Sequence, residues 1–228
     1  MITSPDNERL KLVRKLADRR WRRKLGMFAC EGEDLVAAAT AEPVFLLVAG
    51  ENVTEALLAE VTSAVHPPRV VGIYRASDLP PPVPAAAVLA LWRVKDPGNL
   101  GTLIRTADAF GAAVALSEGC ADPTSPRALR ASAGSIWRVP LLAFDAAAQP
   151  EGCGTRIALT PSGGRPLAEL DLRGEVVFCL GSEREGLPAS VHRSLDATIP
   201  TGSVESLNVA AAGAIALYEW AGQRAGER

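Results

Sequence analysis

The chain has little from which to build a metal site or a disulfide framework. It holds two histidines, His66 and His192, neither beside an acidic or thiol cluster, and four cysteines with no Cys-x-x-Cys spacing: Cys30, Cys120, Cys153 and Cys179. No zinc, other metal or disulfide scaffold is expected, and the thiols read as ordinary reduced residues. Long apolar runs are missing too. Ala85–Trp92 and Val209–Leu217 are about half of the ~20 residues that a membrane-spanning helix requires. The N-terminus is too charged for the apolar part of a secretory signal, so a cytoplasmic location with no membrane partner is expected. There is no GxGxxG fingerprint, no phosphate-binding P-loop and no internal repeat.

What is present suffices for a globular protein: 228 residues, 48% of them hydrophobic, enough for one large domain or two modest ones. The formal net charge of −2 hides an asymmetry. Residues 1–24 carry nine Lys/Arg against three acids, a local +6, which leaves −8 for the rest. A basic block on an otherwise acidic chain suggests contact with a polyanion at one place, with a solvated helix face as the alternative. Leu10, Val13, Leu16 and Trp21 fall at roughly helical spacing, which predicts one amphipathic basic helix.

The spacing further predicts a helix over Asp34–Ala41, a strand over Val44–Ala49, a helix over Thr54–Val65 and a strand over Val70–Ile73. Residues 76–84, ASDLPPPVP, hold four prolines in nine positions, which favours an extended connection and sets the expected boundary. The expected division is 1–75, a linker at 76–85, and 86–228. Beyond the linker, buried-strand runs at Ala86–Val94, Ala113–Ser117, Ile157–Thr160 and Val176–Leu180 alternate with helical stretches. That pattern argues for an α/β fold with a parallel sheet covered on both faces. A final helix is expected over Ser206–Gln223, capped by Glu205 or Ser206.

Three motifs follow predicted strands, where open α/β sheets bind ligands. Asn99–Gly111 reads N-x-G-x-x-x-R-T-A-D-A-F-G and includes Arg105; Leu180–Leu187 reads L-G-S-E-x-x-G-L; Ile199-Pro200 leads to S-L-N-V-A-A-A at Ser206–Ala212. Singly each has a bland explanation: a surface arginine, a flexible glycine loop, a helix cap. In this order and combination they closely resemble the SpoU/TrmH branch of the SPOUT RNA 2′-O-ribose methyltransferases. The N-terminal part, through Arg19-Arg20, Lys24–Phe28 and Glu31-Gly32, resembles the substrate-binding extension of many members.

The resemblance implies a trefoil-knotted parallel-sheet methyltransferase domain, an exception to the ordinary unthreaded topology. A smaller ribosomal-protein-like α/β domain would precede it to bind RNA. It implies a homodimer, S-adenosyl-L-methionine as cofactor, and RNA as substrate, large-subunit ribosomal RNA first and transfer RNA second. By the same resemblance Arg105 is the catalytic arginine, Asn99 positions the ribose, and Glu183, Ser206 and Asn208 order the site. Leu180, Gly181, Ser182, Ile199, Pro200 and Leu207 would hold the cofactor, with Thr160 as a neighbour. A guanidinium rarely gives up its proton, so gripping phosphate and stabilising a developing alkoxide suits Arg105 better than acting as base. Arg127 and Arg130 could add phosphate contacts, or lie on a solvated face. The rival readings are a non-catalytic RNA-binding or ribosome-assembly protein and a Rossmann-type enzyme. The latter is disfavoured by the missing fingerprint.

Overall fold

The computed structural model describes residues 1–63, 66–145 and 154–226; Cys153 lies outside these. The basic block folds as two helices, α1 (Glu8–Leu16) and α2 (Arg19–Leu25), instead of the single one expected. The break has a local cause. The Asp18 side chain accepts a hydrogen bond from the Arg20 amide, so it caps a new helix, as a short acidic side chain does best. Leu10, Val13 and Leu16 are buried as their spacing predicts.

Strand β1 (Met27–Glu31), the short helix α3 (Glu33–Ala37), β2 (Phe45–Val48), α4 (Glu55–Val61) and β3 (Val70–Arg75) follow. Helices α3 and α4 are shorter than expected; the end of the predicted Thr54–Val65 helix falls partly outside the described residues. The three strands form an antiparallel sheet in the order β1-β3-β2.

After a 3-10 turn at Ala76–Asp78 and the proline run come β4 (Ala87–Leu91), α5 (Pro97–Phe110), β5 (Ala113–Leu116), α6 (Pro126–Ser132) and β6 (Leu141–Ala143). The chain then continues through β7 (Thr155–Leu159), β8 (Arg165–Pro166), β9 (Val176–Leu180), β10 (Leu195–Thr198) and α7 (Val209–Ala225). The seven strands pair in parallel in the order β6-β5-β4-β9-β7-β10-β8. The chain runs from β4 outwards to β6 and then crosses to the other side of β4, so the order reverses beside β4 and β9. Such a reversal opens a crevice at the carboxyl ends of the strands. Every residue of β4 and of β9 is buried, as expected of central strands covered on both faces. On one face α5 and α7 pack together closely: a Cβ on Gly213 would collide with Leu103 of α5.

The largest of the core clusters spans both sheets, and the antiparallel sheet has a second one of its own beneath α1 and α4. Phe28 and Tyr74 of the antiparallel sheet pack on Trp137, just beyond α6, with ring centroids 5.6 and 4.8 Å away. Two polar contacts cross the same junction. Arg22 is buried, donating from Nε and Nη2 to Asp122 Oδ2 at 2.9 and 2.7 Å and from Nη1 to the Leu16 and Ala17 carbonyls. Arg130 donates to Glu31 at 3.2 Å and to Ser63 at 2.8 Å. Buried Arg22 is thus a structural cation, which corrects the expectation of a solvated or phosphate-binding group at that position; Arg130 keeps 38% of its side chain exposed. Arg127 pairs with Asp96 at 3.1 Å. No helix among the described residues is long and apolar enough to cross a membrane.

Candidate active site

The carboxyl ends of β4, β7, β9 and β10 each lead into a loop, and three of these loops enclose a cleft of about 620 Å³. The 181–187 loop follows β9. Its Ser182 and Gly186 exchange backbone hydrogen bonds of 3.1 and 3.0 Å, and the Ser182 hydroxyl accepts from the Glu185 amide at 3.1 Å. Gly181 is required by this tight return, since a Cβ there would run into the backbone of Gly186 and Leu187. Ser182 is buried and shapes the loop. The second wall is the segment 199–208, and the third is Leu159–Pro161 after β7, where Thr160 donates from its amide to the Ala197 carbonyl at 2.9 Å.

Leu180, Ile199 and Leu207 give the cleft apolar surface, while Glu183, Ser206 and Asn208 stand at its polar side. A cleft of this size, with apolar walls and several polar groups converging on it, is the usual form of a small-molecule site.

Asn99 lies one turn into α5. That helix starts where it does because Asp96 caps it, accepting from the Asn99 amide at 2.9 Å, with Pro97 in the first turn. The Asn99 side chain donates to Glu183 Oε1 at 2.9 Å and accepts from Asn208 Nδ2 at 3.1 Å. Residues from all three motifs are thereby joined on one rim of the cleft. Asn208 has a second task. Its Oδ1 accepts from the Ala210 and Ala211 amides and so caps α7. The final helix therefore begins at Val209 and the cap is Asn208, where Glu205 or Ser206 was expected.

Of the residues predicted for cofactor, Thr160, Leu180, Gly181, Ser182, Ile199 and Leu207 line the cleft; Pro200 is exposed and does not. Arg105 is exposed on α5, outside the lining, and forms no hydrogen bond or ion pair with another described residue. Six residues beyond Asn99, it lies about 120° away from it around the helix axis, so the two side chains leave α5 in different directions. The lining also includes Arg184, Glu185 and Thr201, which sequence reasoning passed over. The first two occupy the unspecified positions of L-G-S-E-x-x-G-L, and the loop containment was the available signal. Cys179 on β9 is excluded as a nucleophile, because burial pushes its thiol up to about 11. No cluster of three or more metal-ligating side chains occurs among the described residues.

A family model described as SpoU rRNA Methylase matches residues 86–218, more than half of the chain. The chain belongs to the SpoU rRNA methylase family. This SpoU-family chain is 31% identical to the 23S rRNA (guanosine(2553)-2′-O)-methyltransferase RlmP of Bacillus subtilis, over 97% of the chain and 99% of the relative. It is 33% identical to an uncharacterized tRNA/rRNA methyltransferase of Synechocystis, over 96% of the chain and 92% of the relative. The crystal structure of an AdoMet-bound rRNA methyltransferase from Sinorhizobium meliloti superposes with a TM-score of 0.86 at 30% identity, over 96% of both chains.

Proposed function

We propose that this chain transfers a methyl group from S-adenosyl-L-methionine to a ribose 2′-hydroxyl of structured RNA. The observation that carries the reading is the hydrogen-bonded set Asn99, Glu183 and Asn208, which unites the three family motifs at the edge of a cleft of suitable size. The cleft fits the cofactor on its own geometry: apolar walls for an adenosine, and a glycine at position 181 that brings backbone amides to the lining.

When bound, the cofactor supplies an electrophilic methyl group on a sulfonium, so the leaving group is a neutral thioether and needs no metal to stabilise it. The chain's own residues perform the rest. Asn99 and Asn208 offer amide groups that hold and align the ribose, and Glu183 fixes Asn99. Alignment of this kind can remove up to about 7–11 kcal/mol of the barrier to a two-substrate displacement. Arg105, free of internal partners among the described residues, is available to grip the adjacent phosphate and to stabilise the alkoxide as the hydroxyl loses its proton to water. Ser206 lines the same cleft.

Large-subunit ribosomal RNA is the first-choice substrate, supported by the named Bacillus relative, with transfer RNA second. That substrate class makes the cytoplasm the place of action. The reading includes a substrate-binding domain at 1–75, a linker at 76–85 and a methyltransferase domain at 86–228, knotted where segment 199–208 is threaded. It also includes a homodimer built on the final helix, where Ile215 and Tyr218 are exposed apolar side chains. Calorimetry with S-adenosylmethionine, followed by mapping of 2′-O-methyl sites in RNA from a deletion strain and its parent, tests the assignment. Absence of any changed ribose would favour the non-catalytic RNA-binding alternative.

A further inference from the structure

Immediately after β4, Arg93 adopts φ 49°, a left-handed conformation that glycine meets without strain and a branched backbone substituent does not. Its surroundings hold it there. The Arg93 amide donates to Ser117 Oγ at 2.9 Å, and the Ala121 amide donates to the Val94 carbonyl at 2.8 Å. The guanidinium lies 5.2 Å from the Trp92 ring centroid. Gly119, itself at φ 89°, leaves room for the arginine stem: a Cβ there would sit 3.2 Å from Arg93 Cγ.

Arg93 and the exposed Lys95 both face Glu185, at 4.0 and 3.8 Å, with side chains 49%, 65% and 59% exposed. Glu185 belongs to the cleft-lining loop, two residues from the Glu183 that binds Asn99. The loop 117–122 that supports Arg93 also receives α2, through Arg19 on the Cys120 carbonyl at 3.3 Å and Arg22 on Asp122. The exposed Arg19, at the start of the basic helix α2, therefore sits on the same loop that supports Arg93.

We propose that Arg93 and Lys95 bind the RNA phosphodiester backbone beside the reacting ribose, with Glu185 standing in the phosphate's place until RNA arrives. This rests on the RNA methyltransferase reading. A long, exposed ion pair contributes little, so a phosphate that accepts charge-assisted hydrogen bonds displaces the carboxylate at small cost. The position would be filled with less strain by glycine; what glycine cannot provide is the cation.

The test uses the full chain, anisotropy of a fluorescein-labelled RNA stem-loop across a salt series, and calorimetry with S-adenosylmethionine. Arg93→Gly suits the backbone and should melt no lower than wild type, so a loss of binding cannot be put down to misfolding. Arg93→Gly with Lys95→Ala should weaken RNA binding on the order of tenfold and reduce the log–log salt slope by about 1.5, the share of two phosphate contacts. Cofactor affinity should hold. Glu185→Gln should tighten RNA binding about threefold in the wild-type background, and this gain should vanish when both cations are gone. A wild-type slope in the double variant, a Glu185→Gln gain that persists without the cations, or lost cofactor affinity with unchanged RNA binding would each overturn the proposal. A wild-type chain that binds cofactor yet methylates no RNA counts against the enzymatic reading instead, since the anisotropy still reports on the phosphate site.

Discussion

Arg22 and Asp122, one hundred residues apart in the chain, meet in an ion pair of 2.7 Å with side chains only 5% and 12% exposed. The pair ties α2 to the 117–122 loop, which also holds the Arg93 amide. Removing one partner leaves the other charge buried, so Arg22→Ala should cost about 3–5 kcal/mol of stability, measurable by denaturant unfolding. A cost under about 1 kcal/mol would show that the junction is held by the aromatic cluster and the Arg130 contacts without need of this pair.

The same pair gives a pH signature. Burial by itself would raise the Asp122 carboxyl, but hydrogen bonds from Thr124 and Arg22, with the arginine's charge, outweigh it and hold the group below the usual carboxylate range. A group lowered on folding contributes stability that is complete above its unfolded value, near 3.9, and is lost as pH falls through the folded value. The stability gap between wild type and Asp122→Asn should stay level from neutrality to about pH 5 and close below about pH 4. A gap that widened in acid would contradict the assignment.

Much of this fold was legible because buried parallel strands are continuous apolar runs; Val176–Leu180 was placed to the residue. Strand β10, Leu-Asp-Ala-Thr, carries no such run and was expected only as the strand that the third motif follows, while β8 has two residues and was not visible. The basic block read as one helix because periodicity is blind to a cap in the middle, which Asp18 supplies. Three motifs announced the site, yet their order could not reveal that Asn99 bonds both Glu183 and Asn208, a contact made only when separate strand ends come together. Nor could charge counting tell buried Arg22 from its solvated neighbours. A deletion of residues 1–24 would strip the core of Leu10, Val13 and Leu16, so surface charges such as Arg20 and Arg23 are the better targets for RNA binding.

Asn208 serves helix and site at once, and two substitutions separate these roles. Asn208→Ala should lose about 1 kcal/mol of stability with the α7 cap. Asn208→Asp keeps an acceptor at the helix start, so thermal stability should match wild type. It cannot donate to Asn99 Oδ1, and methyl transfer should still fall ~10-fold, as for the loss of one hydrogen bond. Full activity in the aspartate variant would confine Asn208 to capping.

Gly181→Ala places a methyl group against the Gly186 and Leu187 backbone. The loop must open to admit it, at roughly 1–3 kcal/mol for the crowding. Cofactor affinity should drop about ten- to a hundredfold by calorimetry, while the far-ultraviolet circular dichroism spectrum is retained. Unaltered affinity would place the cofactor away from the 181–187 loop.

Arg105 is the sharpest case, because it stands outside the cleft and engages no other described residue. Arg105→Ala should therefore leave both stability and cofactor affinity near wild type. If the guanidinium grips phosphate and alkoxide, transfer on saturating RNA should slow by a factor on the order of 10²–10³, as when one preorganised donor is removed. Arg105→Lys should recover little, since an ammonium cannot make the planar two-pronged contact. A general base would behave differently: the wild-type rate would climb with pH until the arginine itself lost its proton, and lysine, which deprotonates more readily, would rescue at high pH. Single-turnover rates of the three proteins across pH discriminate the two roles, and near-normal turnover in Arg105→Ala removes the residue from the mechanism altogether.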